Sequence, residues 1–258
     1  MTIEVLKELM SEALHQFTQW GWLRKEELLK LVFERTGGKV YKGPFKGMTI
    51  LPKYSWGDGD TGGKLLGIYE DELHNAIELE INKTIKHDII LNIGCAEGYY
   101  GLGLALRNPE IPSILFDINP TAISICRENA NVNGINNVQF NTDCSIENIR
   151  SYLAKYKHPL IIMDVEGHER VLLDLEAIPE LNKCSVIVES HDCIIQGTTE
   201  LIQNNLGGTH NVHTISQGAK NPYLDILFDL CDYDKMLLCV ESRPSTMTWI
   251  HAVPKNVR

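Results

Sequence analysis

The sequence predicts an α/β fold, a Rossmann-like, doubly wound and mostly parallel sheet with an N-terminal helical extension. Five short apolar runs, at residues 89–93, 112–118, 137–143, 160–165 and 185–190, have strand length and alternate with segments of helical spacing. Such alternation builds a parallel sheet, because parallel neighbours need a long crossover that is usually a helix. The first run ends in Gly94-Cys95-Ala96-Glu97-Gly98, a glycine loop at the place where these sheets receive nucleotide-like ligands. With 258 residues, 43% hydrophobic and 22% charged, the chain suits one soluble core with an appendage.

The elements follow in order. Residues 3–35 carry apolar side chains at helical spacing, Leu6, Met10, Leu14 and Phe17, then Leu28, Leu29 and Val32. A break at Gln19-Trp20-Gly21-Trp22 predicts two helices there. Residues 37–64, rich in Gly, Pro and aromatics, predict a short hairpin and a long loop serving as lid or substrate edge. Tyr54, Trp56, Asp58 and Asp60 in that loop suit an aromatic lid better than a calcium loop, since the ligand spacing is wrong for calcium. Residues 69–83 read as a helix. Asn119 is an N-cap, Pro120 opens the following helix and Gly134 stops it. A last strand is expected near residues 247–253, antiparallel at the sheet edge. The expected division is a cap at 1–64 and the Rossmann-like domain at 65–258.

Composition excludes several functions. A net charge of -10 opposes a phosphate backbone, so no nucleic-acid partner is expected. No apolar run is long enough for a bilayer, so no membrane partner is expected either. Seven scattered cysteines without a CxxC pair argue for a reducing compartment, and the acidic amphipathic N-terminus is unlike a signal peptide. A cytoplasmic protein is expected. The N-terminal helices are free to cover an acceptor cleft or a partner subunit, which leaves a homo-oligomer open.

The glycine loop lacks the G-x-G-x-x-G of dinucleotide sites. Glu97 would repel a pyrophosphate, whereas a cofactor bearing a sulfonium and an amino group would welcome it. The loop therefore suits S-adenosylmethionine, held by Asn92, Gly94, Ala96, Glu97 and Gly98. Asp117 lies 23 positions after Gly94, where an acid accepts from ribose hydroxyls, and Ile118 adjoins it in the same site. Asp143, after the third run, is placed to meet the adenine amino group.

Residues 161–173, IIMDVEGHERVLL, are the most specific string in the chain. With VESHD at 188–192 they resemble the FkbM-type class I methyltransferases, through Asp164, Glu166, Gly167 and Glu169 at the fourth strand and Glu189 and His191 at the fifth. The resemblance spans roughly residues 43–253, including GPFKGM at 43–48 and KLLGIYEDEL at 64–73. One departure is Asn92, which stands where class I methyltransferases commonly carry an acid, so the methionine amino group falls to Glu97 or backbone carbonyls.

The resemblance implies methyl transfer from S-adenosylmethionine to a hydroxyl on a sugar, polyketide or other small metabolite. Such a transfer is an in-line displacement in which the hydroxyl must lose its proton. The candidate catalytic set is Asp164, Glu166, His168, Glu189 and His191. Either His168 or His191 acts as base, or Asp164, Glu189 and His191, with Asp192 nearby, hold Mg2+ or another divalent cation that lowers the acceptor's pKa, as in catechol-type O-methyltransferases. The alternatives are N-methylation, a protein or RNA acceptor, or a non-catalytic cofactor-binding assembly module. Arg243 is a candidate to pin an anionic group, but a single arginine of this kind reads more readily as a solvated surface residue.

Overall fold

The computed structural model describes residues 3–54 and 60–255. Seven strands, β1 (Ile89–Ile93), β2 (Ser113–Phe116), β3 (Val138–Asn141), β4 (Pro159–Met163), β5 (Ser185–Ser190), β6 (His210–Ser216) and β7 (Thr248–Pro254), form one sheet in the order β3-β2-β1-β4-β5-β7-β6. The first five are parallel, and β7 runs antiparallel to both β5 and β6. The order reverses between β1 and β4, which opens a crevice at their carboxyl ends.

The helices are α1 (Ile3–Thr36), α2 (Thr61–Leu66), α3 (His74–Ile81), α4 (Tyr99–Arg107), α5 (Pro120–Val132), α6 (Ile146–Leu153), α7 (Glu169–Leu172), α8 (Thr198–Gly207) and α9 (Asp232–Cys239). Every residue of β1 is buried because both faces of the sheet are covered. Ile90 packs with Leu115, Ile162 and Ile187 on one face, while Ile89, Leu91 and Ile93 pack with Phe116, Ile161 and Val186 on the other. Leu28, Val32, Val40, Phe45 and Ile50 join the first of these clusters. Gly103 of α4 makes that possible, since a Cβ there would lie 2.4 Å from the Phe45 ring. Among the described residues no helix is long and apolar enough to cross a membrane.

Several local expectations hold. Asn119 caps α5 by accepting from the Thr121 N–H, with Pro120 at the first position. The turn at 43–47 is closed by an antiparallel bridge between Lys39 and Thr49. Others are corrected. Instead of two helices there is one, α1, running through Gly21. A glycine costs about 1 kcal/mol relative to alanine in a helix, too little to break one with good helix formers on both sides. The long loop ends early, at α2. The antiparallel strand β7 is internal rather than at the edge, because β6 pairs along its outer side. Residues 55–59, with Trp56 and Asp58 of the expected lid, lie outside the described residues.

Candidate active site

The loop after β1 is built by close backbone approach. Gly94 has φ +79°, and a Cβ on it would sit 1.7 Å from the Asp164 carbonyl oxygen, so only glycine lets this loop pass the one after β4. Asp117 clamps the loop: one carboxylate oxygen accepts from the Ala96 N–H and the other from the Asn119 N–H, each at 2.8 Å. Each oxygen retains a second lone pair for a ligand hydroxyl. Ile118 beside it is 78% exposed. Gly98 begins α4 at φ +95°.

Asn92 is buried; its Nδ2 donates to the Ile162 carbonyl at 3.3 Å, and its Oδ1 has no hydrogen-bond partner. Glu97 is ion-paired to Lys64 of α2, so its charge reaches the crevice as half of a pair. Asp143 is exposed, and its Oδ1 accepts from the Ser145 N–H at 2.9 Å.

A small cleft of about 50 Å³ opens between this loop and the ends of β4 and β5, lined by Lys64, Tyr69, Glu70, Asp164, Glu189 and Trp249 among others. Behind Asp164, the fully buried Glu169 joins two loops. One of its oxygens accepts from the Gly167 N–H at 2.8 Å; the other accepts from the His191 N–H at 2.9 Å and meets His191 Nδ1 at 3.1 Å. A proton on Nδ1, assigned from this bonding, leaves Nε2 facing Asp164 at 3.4 Å and Glu166 at 3.5 Å. Burial, with the charges of Glu70 and Glu166, pushes Asp164 up to about 7. Burial disfavours charge on His191, but the Glu169 hydrogen bond and Asp164 outweigh it and raise that imidazole.

Glu189 stands at the margin of this group, 4.0 Å from His191 Nε2. Its carboxylate accepts from Arg243 Nη1 at 2.7 Å, and Arg243 also pairs with Glu70. The guanidinium lies 5.6 Å from the Tyr69 ring centroid and 5.9 Å from that of Trp249. Burial, together with Glu70 and Asp164, pushes Glu189 upward against the pull of Arg243. Arg243 is thus a core member of the site, 16% exposed at its side chain, and not a solvated surface residue.

The cation-capable set is likewise corrected. Asp164, Glu166 and His191 offer atoms within 4.8 Å of one another, so Glu166 takes the place expected of Glu189. His168 is exposed at the start of α7 and lines no part of the cleft. Asp192 accepts from the Gly197 N–H at 2.9 Å and serves the turn into α8.

Residues 85–198 match a family model described as a methyltransferase domain. The chain is an S-adenosylmethionine-dependent methyltransferase. No curated protein matches it significantly. Among solved structures, the enzyme is similar to a putative O-methyltransferase from Klebsiella pneumoniae, at 12% identity over 90% of each chain and TM-score 0.48. An O-methyltransferase from Bacillus cereus in complex with S-adenosylhomocysteine is 14% identical, covering 90% of this chain and 91% of that one, with TM-score 0.46. An rRNA methylase from Streptococcus thermophilus is 12% identical over 72% of this chain and 97% of its own, with TM-score 0.48. Likeness at this level does not extend to the acceptor of the enzyme.

The residues present suit the cofactor. Asn92, which lines the cleft, has a buried and unpartnered Oδ1, and Lys64 with Glu97 offers both signs of charge to an amino-acid zwitterion. Sequence reasoning missed Lys64, Tyr69, Glu70, Arg243 and Trp249. The KLLGIYEDEL string at 64–73 carried the first three only as part of the resemblance, and nothing in it pointed to an arginine 173 positions from Glu70.

Proposed function

We propose that the enzyme methylates a hydroxyl on a small, polyhydroxylated metabolite, sugar-like in character, and that its resemblance to FkbM-type enzymes reflects this. The observation that carries the reading is the placing of Asp164 at the cleft wall, 3.4 Å from an imidazole fixed by Glu169, where its carboxyl is also pushed upward. A base is most effective when its pKa lies near the working pH. Asp164 takes the hydroxyl proton, and His191 holds the resulting charge balance. S-adenosylmethionine supplies the methyl group from a sulfonium. Glu97 and Lys64 meet its methionine end, Asp117 its ribose and Ile118 its adenine.

The faces of Tyr69 and Trp249, with Glu70 as an acceptor, favour a ring bearing several hydroxyls. Carboxylates around the cleft oppose an RNA acceptor. Residues 1–64 serve as a cap, with α2 contributing Lys64 to the cleft wall. Scattered cysteines favour a reducing, cytoplasmic setting.

A second reading adds a divalent cation on Asp164, Glu166 and His191, which the geometry of their ligand atoms favours. Glu169 on His191 Nδ1 is the kind of partner that orients a ligating imidazole. A bound cation would lower the acceptor hydroxyl's pKa.

Calorimetric titration with S-adenosylhomocysteine tests both. Micromolar binding, weakened about tenfold or more by Asp117→Ala as its loop contacts are lost, supports the cofactor site. Absence of binding by the wild-type protein overturns the reading. Magnesium heat that disappears in Glu166→Gln supports the cation; no magnesium heat rejects it.

A further inference from the structure

We infer that the first half of α1 is the interface of a two-fold dimer, in which this segment packs antiparallel against the same segment of a second copy. The second half of α1 is docked on its own chain: Leu28 and Val32 are buried, Arg24 pairs with Asp234 of α9, and Lys25 donates to the Val240 carbonyl. Residues 3–23 continue this helix for about 30 Å, touching the body where Phe17 and Trp20 meet Tyr233 of α9. They carry large apolar side chains in the open, Ile3 at 74% and Met10 at 70% exposure, with Leu14, Phe17 and Leu23 more than half exposed. A helix this apolar and this long is not stabilised by water alone.

The spacing identifies the occupant as another helix. Ile3, Met10 and Phe17 recur every seventh residue, and Ala13 and Trp20 follow three positions behind Met10 and Phe17, the seam of a coiled-coil pair. Glu4, Ser11, Glu12, His15, Thr18 and Gln19 occupy outward positions together with Val5 and Trp22, and the seam itself contains no carboxylate.

That matters for a chain of net charge -10, because its copies can meet here without opposing charges. The stripe also closes on itself. With a two-fold axis between Ser11 and Glu12, Met10 fills the space over Ala13 of the partner subunit, and Ile3 rests on Trp20 of the partner subunit. Trp20 already lies 5.3 Å, centroid to centroid, from Tyr233 of α9, so the landing site continues onto the body of the protein. Two stripes of this length bury on the order of 1,200 Å², enough for a specific association.

Light scattering after gel filtration of the full chain should give twice the 29.1 kDa monomer mass. Met10→Glu/Phe17→Glu buries carboxylates in the seam and should raise the dimer dissociation constant about 100-fold or more. Helical content and S-adenosylhomocysteine affinity should stay unchanged, which separates this inference from the fate of the catalytic reading. In a Cys193→Ser/Cys231→Ser background, mixing Met10→Cys with Ala13→Cys should yield the mixed disulfide. A wild-type monomer at tens of micromolar, a dimer that survives the double glutamate variant, or preferential self-linking of Ala13→Cys would each overturn the inference.

Discussion

Asp164→Asn is expected to lower methyl transfer about 10²- to 10⁴-fold, the usual contribution of a positioned general base, while S-adenosylhomocysteine affinity is retained. The measurement is S-adenosylhomocysteine release with a panel of hydroxylated acceptors. In the wild-type enzyme the rate should rise through pH of about 7 as the Asp164–His191 pair loses its proton, then level off. Stability should run the other way. The folded carboxyl titrates above its unfolded value of about 4, so its contribution is full below that pH and is lost as pH rises through about 7. Because asparagine cannot ionise, the variant should gain stability relative to wild type between pH 5 and pH 8. A pH profile centred below 5, or full activity in Asp164→Asn, would remove Asp164 as the base.

Arg243→Met should destabilise the fold by about 3–5 kcal/mol at pH 8, the usual effect of removing one partner from a buried ion pair. It strands Glu70 and Glu189, each 2% exposed, without their cation. Glu189, already pushed upward, then rises further, so the loss should shrink at pH 5, where it takes up a proton more readily. Denaturant unfolding at the two pH values gives the comparison. Adding Glu189→Gln to Arg243→Met should restore part of the loss, because the buried charge is gone. A loss below 1 kcal/mol at pH 8, or an equal loss at both pH values, would mean that the triad is solvated and contributes little.

The features legible in the sequence share a physical origin: each is specified by residues close together along the chain. The five parallel strands appear as apolar runs because both their faces are buried. The loop at Gly94, the Asn119 cap and the stop at Gly134 are set by backbone requirements that few residues meet. Asp164, Glu166, Glu169 and His191 sit in strings whose acids would be costly at strand ends without a purpose. The string alone, however, could not choose which of these acids face one another.

Strand β6 escaped notice because it lies at the sheet edge with most of its residues partly or fully exposed, and so lacks an apolar run. Glu189 was read as a cation ligand because its 54-residue separation from Arg243 carries no local signal. Only the fold, by laying the segment before β7 over Tyr69 and Trp249, brings that guanidinium to the carboxylate. The same folding leaves Glu166 beside His191 and turns His168 to solvent. Periodicity and turn chemistry act over a few residues and can be read along the chain; ion pairing and burial act across space, so the membership of the site was decided by tertiary structure.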